Sequence, residues 1–333
     1  MLRAIHKFLI AEIGSVHDGS FGNACKLIEA AAASGADAVK FQTHIAEAET
    51  LPDAPMPSYF KGEARFDYFQ RTGFNLDQWH RLKTHCDEHN VTFLSSPFSI
   101  DAVSLLEDIG VEAYKIPSGE VTNLPLLERV AETGRPALLS SGMSDWAELD
   151  AAVDILKEGG PLTVLQCTSA YPCPAERVGL NILAELRDRY RLPVGFSDHT
   201  GGCAAAFAAA ALGATIIEKH FTFSQLMYGS DAANSMEPAE FRTLADGLRE
   251  IWTMTENPVD KDDLSPYREM KTIFEKSIVI ARPVAPGSKL EKADLAFKKP
   301  GDGISAARYL EIIGRTVVTA LSENHKLTED DLQ

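Results

Sequence analysis

This chain has no surplus of positive charge, no apolar run long enough to cross a bilayer, and no cysteine pair at metal-binding or redox spacing. It also lacks a glycine-rich fingerprint after its first strand. Each absence narrows what it can be. Its 32 Lys and Arg against 48 Asp and Glu give a formal net charge of −16, which argues against nucleic acid and anionic membranes, since both require a basic footprint. A small anionic substrate stays open, because a few lysines focused in one pocket bind phosphate on an acidic protein. The longest apolar run, Cys203–Ile217, is too short for a membrane span and carries Gly213 and Thr215. The five cysteines, at 25, 86, 167, 173 and 203, are odd in number and show no CxxC spacing, which suits reduced intracellular thiols. The segment Met1–Ile10 runs into a strand without a signal-peptide cleavage pattern. The expectation is a soluble, cytoplasmic protein.

What the chain has instead is repetition. Short apolar runs that read as buried strands alternate with amphipathic segments that read as helices. The strands fall at Phe8–Gly14, Ala36–Gln42, Val91–Pro97, Glu112–Ser118, Pro136–Gly142, Leu162–Cys167, Val194–Thr200 and Thr215–Thr222. Helices are expected over Ala24–Ser34, Leu76–His89, Asp101–Asp108, Pro125–Glu132, Trp146–Lys157, Asn181–Arg189, Gly201–Gly213 and Pro238–Thr255. Eight such units predict an α/β fold, a (β/α)8 (TIM) barrel over residues 1–256. The competing doubly wound sheet is weakened by the missing GxGxxG. Thr43–Thr72 is too long for an ordinary βα loop and reads as irregular. Its Pro52, Pro55, Pro57, Tyr59, Phe60, Phe66, Tyr68 and Phe69 suggest a lid or wall over the site. Residues 257–276 are polar, acidic and Pro-punctuated, as a linker is, and 277–333 read as a small accessory module of short strands and turns.

In such a barrel the chemistry lies where strands end. Those ends here carry Glu12; Lys40 and Gln42; Ser95 and Ser96; Lys115, Ser118 and Glu120; Ser140 and Ser141; Thr168 and Ser169; Ser197, Asp198 and His199; and Glu218, Lys219 and His220. Buried charge is costly unless paired or liganded, so its accumulation at one face predicts a site for a charged ligand rather than a rim merely solvated by loops. Lys40 and Lys115, with Ser96, Ser118, Ser140 and Ser197, suit a phosphate cradle. His199 and His220 end two strands joined by one helix, so parallel pairing would bring both imidazoles to one rim. They are candidate ligands for Mn, Fe, Co, Zn or Mg, or else two hydrogen-bonded core histidines. Glu12 and Glu120 are candidate general bases or hydroxyl-binding groups, or rim partners of Lys40 and Lys115.

At these residues the chain resembles the sialic acid synthase family. The matching motifs run in order: Ile10-Ala-Glu-Ile-Gly14 with His17 and Gly19, Val39-Lys-Phe-Gln42, Ser95-Ser-Pro-Phe98, Tyr114-Lys-Ile-Pro-Ser-Gly-Glu120 and Ser140-Ser-Gly-Met143. Gln166-Cys-Thr-Ser-Ala-Tyr-Pro172, Phe196-Ser-Asp-His-Thr200, Glu218-Lys-His-Phe-Thr222 and Ser235-Met-Glu-Pro238 complete the set. The tail from Ser277 resembles the antifreeze-like (SAF) domain that follows the barrel in that family and reaches over a partner subunit's site. The resemblance implies condensation of phosphoenolpyruvate with an N-acetylated aldose, such as N-acetylmannosamine, in a homodimer with exchanged tails. It implies His199 and His220 as ligands of a divalent metal, usually Mn2+ with Mg2+ or Co2+ as alternatives. Glu120 would act as base within a catalytic set that includes Glu12 and Lys115. Lys40, Lys115, Ser96, Ser118, Ser140, Ser169 and Ser197 would hold phosphoenolpyruvate, with Gln42, Glu12 and Asp231 toward the sugar or the metal's water.

Four positions depart from the family pattern. Val16 and Ser96 stand where Asn and Thr are common, and Ser169 replaces an Asn found in some members. Lys299 stands where an Arg usually meets the N-acyl group, keeping charge but losing the planar fork. These bear on the sugar rather than on the reaction. A metal-dependent aldolase or hydrolase on the same barrel, and a non-catalytic carbohydrate-binding homologue, are the rival readings; the second is disfavoured by intact Lys40, Lys115, Glu120, His199 and His220.

Overall fold

The computed structural model describes residues 7–55, 62–229 and 231–333, so Pro57, Tyr59 and Phe60 of the expected lid lie outside the described residues. The chain divides into two compact units, Met1–Asn257 and Pro258–Gln333.

In the first unit, eight parallel strands close in sequence order: β1 Phe8–Gly14, β2 Ala38–Thr43, β3 Thr92–Pro97, β4 Tyr114–Ile116, β5 Ala137–Ser140, β6 Leu162–Cys167, β7 Val194–Asp198 and β8 Ile216–His220. β8 returns to β1 with Leu9 opposite Ile217 and Glu12 opposite His220. The helices are α1 Phe21–Ala33, α2 Ala46–Glu49, α3 Arg65–Thr72, α4 Leu76–Glu88, α5 Ile100–Asp108, α6 Leu124–Glu132, α7 Trp146–Gly159, α8 Ile182–Tyr190, α9 Ala204–Ala211 and α10 Pro238–Glu256. The expected barrel is present. The stretch after β2, read as irregular, contains α2 and α3; Arg65-Phe-Asp-Tyr-Phe-Gln-Arg-Thr72 coils because only Tyr68 and Thr72, one turn apart, need burial.

Local signals set the helix starts. Asn75 and Gln78 cap α4 reciprocally, as Asp145 and Glu148 do α7, satisfying N–H groups that have no partner within the helix. α1 buries Ala24, Leu27, Ile28 and Ala31, the spacing of one helical stripe. Strand parity then sorts the barrel. Leu9, Ala11 and Ile13 of β1 join the core between sheet and helices, whereas Ile10 packs inside the barrel with Ala38, Leu94, Ala113, Leu138, Leu165 and Ile216. That apolar layer closes the barrel floor, and the next inward residue on most strands is polar. No described helix is long and apolar enough to cross a membrane.

The second unit has its own core, including Ile278, Ile280, Leu290, Ile312, Val317 and Leu327. Antiparallel β9 Ser277–Ile280 and β10 Leu295–Lys298 form its sheet. Within the segment read as a linker, α11 Arg268–Phe274 is helical and is tied to this unit by the Gly301 N–H donating to the Thr272 carbonyl at 2.7 Å. A short helix, α12 Tyr309–Ile312, follows.

Candidate active site

Two residues above the apolar floor, the inward positions become Glu12, Lys40, Ser96, Lys115, Ser140, Cys167, Ser197 and Glu218, all buried. Period-two alternation is the reason: each lies two residues after a floor residue on its strand. Lys40 Nζ sits 2.8 Å from Glu12 Oε2 and 4.0 Å from Glu218 Oε2, and donates to Ser96 Oγ at 3.2 Å. Lys115 Nζ lies 3.6 Å from Glu218 Oε1 and donates to Ser140 Oγ at 2.7 Å. Ser197 Oγ donates to Glu218 Oε1 at 3.0 Å. Two ammoniums and two carboxylates thus share one enclosed layer. Desolvation costs several kcal/mol per ion, and apolar replacements of such pairs are often neutral or stabilising. Stability alone does not account for them.

Their environments differ. Burial, only partly offset by Lys40, pushes the Glu12 carboxyl up to about 7. For Glu218, burial is outweighed by Lys115 and Lys40, which hold it below the usual carboxylate value. Burial pulls Lys115 below the normal ammonium value against the opposing field of Glu218. For Lys40, the two carboxylates overcome burial and raise it.

Above this layer opens a cavity of about 360 Å³, lined among others by Glu12, Lys40, Gln42, Lys115, Ser118, Ser140, Ser169, Ser197, Glu218, His220 and Asp231. Gln42 is locked in place: its Nε2 donates to Glu12 Oε1 at 2.8 Å, and His44 Nε2 meets its Oε1 at 3.1 Å. The His44 ring is stacked between Phe69 and Phe98, with centroids 3.7 and 4.1 Å away. Gly142 keeps Ser118 and Ser169 together, since a Cβ there would lie 2.5 and 2.6 Å from their hydroxyls. Gly14, at φ +54°, leaves room for Asp231, whose Oδ2 would be 2.5 Å from a Cβ.

His199 and His220 meet at the rim with ring centroids 5.5 Å apart. His199 Nδ1 donates to the Thr168 carbonyl at 2.9 Å, so in the neutral ring Nε2 carries the lone pair. Burial is the main cause holding His220 down to about 4, and its buried Nδ1 has no hydrogen-bond partner. For His199, burial is outweighed by Cys167 and the Thr168 carbonyl, which raise it, whereas His220 is held neutral; two adjoining imidazoles, one with an orphaned nitrogen, are a donor pair that a divalent metal of borderline softness would fit. Among the described residues, the two do not join a third His, Cys, Asp or Glu in a preformed cluster.

Not every residue singled out from the sequence faces this cavity. Ser96 lies beneath it, bonded to Lys40. Glu120 stands half-buried in the turn after β4, accepting from Asn123 Nδ2 at 2.8 Å, and is not a lining residue; burial raises its carboxyl above the usual value. Lys299 belongs to the second unit, with its ammonium 4.7 Å from the Phe274 ring centre. Asp198 and Lys219, read with the rim, point outward and pair at 3.0 Å; Lys219 also bonds the Thr200 and Gly202 carbonyls. Ser95 likewise turns away, to Thr43 at 2.7 Å. Glu218, read with the rim but given no individual role, and Cys167, Arg65, His44 and Tyr171 also line the cavity. Parity marks Glu218 and Cys167 as inward, each two residues beyond a floor residue; Arg65 and His44 depend on how the stretch after β2 folds back.

A family model described as the NeuB family matches residues 27–260, and one described as the SAF domain matches 275–333. The N,N'-diacetyllegionaminic acid synthase of Campylobacter jejuni is 36% identical over 330 residues, 96% of this chain and 98% of that protein. The human N-acetylneuraminate-9-phosphate synthase is 31% identical, covering 97% of this chain and 92% of its own length. Among solved structures, the N-acetylneuraminic acid (sialic acid) synthetase of Leptospira borgpetersenii, in complex with citrate, superposes with a TM-score of 0.70 at 31% identity, over 80% of this chain and 90% of that one.

Proposed function

The chain belongs to the NeuB family, and from that premise we propose that it condenses phosphoenolpyruvate with an N-acetylated aldose, N-acetylmannosamine or a related amino sugar, giving a nine-carbon sugar acid and phosphate. The observation that supports this most is that one cavity is lined both by two buried lysines with a set of serines and by two adjoining imidazoles. The lysines and serines suit an anion, and the imidazoles would hold a cation beside an electrophilic carbonyl.

Phosphoenolpyruvate brings a carboxylate and a phosphate. Lys40 and Lys115, now paired with Glu12 and Glu218, would receive those charges, while Ser118, Ser140, Ser169 and Ser197 donate to the remaining oxygens. His199 and His220 would hold a divalent cation, Mn2+ the expected ion and Mg2+ or Co2+ the alternatives, which when bound supplies Lewis-acid polarisation of the open-chain aldehyde. The enol carbon C3 bonds to the aldehyde carbon, whose oxygen takes up a proton. Glu12, poised to exchange a proton near neutrality and braced by Gln42, suits that transfer or a sugar hydroxyl. Water adds at C2 and would give its proton, through a second water, to Glu120 in the turn beside the lining residues Ser118 and Gly119; the C2–O bond then breaks, and the hydroxyl proton leaves with phosphate. Asp231 would complete the sugar side. In this reading the chain works as a homodimer in which the SAF unit, with Lys299, serves the acyl group at a partner's site.

The test is phosphate release from phosphoenolpyruvate across a panel of N-acetylated hexoses and 2,4-diacetamido hexoses, with Mn2+ and with chelator. Release is expected with at least one aldose and is abolished by chelation. No release with any aldose in the presence of Mn2+ overturns the proposal.

A further inference from the structure

A second group of metal-ligand side chains lies outside the cavity, between α1 and α4. Glu29, His85 and His89 each offer a ligand atom, all within 4.8 Å of one another. Histidines four apart share a helix face, and here their ring centroids are 4.4 Å apart. The His89 Nδ1 lies 2.8 Å from the His85 carbonyl, which can only accept, so His89 keeps its lone pair on Nε2, the tautomer a ligand needs. His85 Nε2 is enclosed, stands 3.3 Å from Glu29 Oε1 and makes no well-aligned hydrogen bond. Its Nδ1 lies 3.5 Å from Glu88 Oε2, a carboxylate placed to orient the ring.

From this we infer that Glu29, His85 and His89 form a surface site for a late first-row dication, of which Zn2+ is the natural probe. Two imidazoles and a carboxylate are a zinc-like donor set with room left for water, and ligand atoms around tetrahedral zinc stand roughly 3.4 Å apart. Closing from the present separation needs side-chain rotation alone: Glu29 is 33% exposed and His85 21%. One competitor is visible. Lys26 Nζ occupies both Glu29 oxygens, at 2.8 and 3.0 Å, and must yield to the ion.

The position in the fold indicates the role. Helices of this barrel run back toward the start of the next strand, and His89 lies three residues before β3 while Glu29 lies in the second half of α1. The cluster therefore flanks the face opposite the cavity, where barrels hold stability rather than chemistry. A bound ion would clip α1 to α4. The site is independent of the proposed reaction.

The experiment is equilibrium dialysis of the full-length protein against Zn2+ with metal counted per chain, alongside thermal melts. In a His199→Ala/His220→Ala background, which removes the cavity's own imidazoles, His89→Gln and His85→Ala should each lose one further zinc equivalent and the zinc-dependent rise in Tm that remains. Lys26→Met should bind several-fold tighter. Circular dichroism identifies any variant that fails to fold, and Lys26→Met, an exposed change, reads the site without touching a ligand. Equal zinc content in that background with and without His85→Ala or His89→Gln, or no tightening in Lys26→Met, overturns the inference.

Discussion

An alanine methyl at 142 would collide with the hydroxyls of both Ser118 and Ser169, which flank Gly142. If they bind phosphoenolpyruvate, Gly142→Ala loses one or two hydrogen bonds to a charged group, about 1.5–3 kcal/mol each. The expected result is a KM for phosphoenolpyruvate raised at least roughly tenfold with kcat less affected; steady-state phosphate release measures it, and an unchanged KM would detach these serines from the substrate. Glu120 carries a pH signature. Burial raises its carboxyl above the ordinary 4.5, so the base form disappears as pH falls through that raised value. The acid limb of kcat should lie above 4.5 and vanish in Glu120→Gln, along with most of the rate. A limb that persists in Glu120→Gln would assign it to another group, Glu12 first.

At the scale of the element, β7 and β8 divide their polar residues between two tasks by parity alone. Ser197, Glu218 and His220 face the cavity, whereas Asp198 and Lys219 form a buried ion pair on the other side and anchor the turn at Thr200–Gly202. Removing one partner leaves an uncompensated charge, so Lys219→Met should destabilise by about 3–5 kcal/mol. That corresponds to a fall in Tm of roughly 10 °C for a unit this size. Calorimetry and a titrated phosphate-release assay should find reduced stability but near-normal turnover per folded molecule. Loss of turnover without loss of stability would move Lys219 into the chemistry.

For the molecule as a whole, the two units suggest separable duties. Each has its own core, so a chain ending at Asn257 should fold by itself. It should still bind phosphoenolpyruvate, since all the lysines and serines assigned to that substrate lie in the barrel, and lose most of its aldose use if the SAF unit serves the sugar. Calorimetric titration with phosphoenolpyruvate and kinetics with the preferred aldose separate the two; equal loss of both would make the second unit structural. His199→Ala and His220→Ala should each abolish turnover with the melting profile retained, whereas undiminished turnover in either would remove the metal from the reaction.

Taken alone, the sequence determined the eight-unit barrel, because strand and helix periodicities and their caps are local properties that survive any packing. It also placed both histidines on neighbouring strand ends, since one short crossover joins them and parallel pairing follows. The inward set, too, was present as parity: Ile10 and Glu12, Leu165 and Cys167, Ile216 and Glu218 sit two apart. Parity needs an origin, however, and only the closed barrel says which side is inside. That choice turned Asp198, Lys219 and Ser95 outward and brought Glu218 between two lysines. The helices after β2, which carry Arg65 and seat His44, were likewise decided by tertiary packing, because their aromatic residues gain burial only once the barrel mouth exists. Distances across the chain, Lys40 to Glu12 or Glu29 to His85, are set by closure and helix packing, which no local pattern encodes.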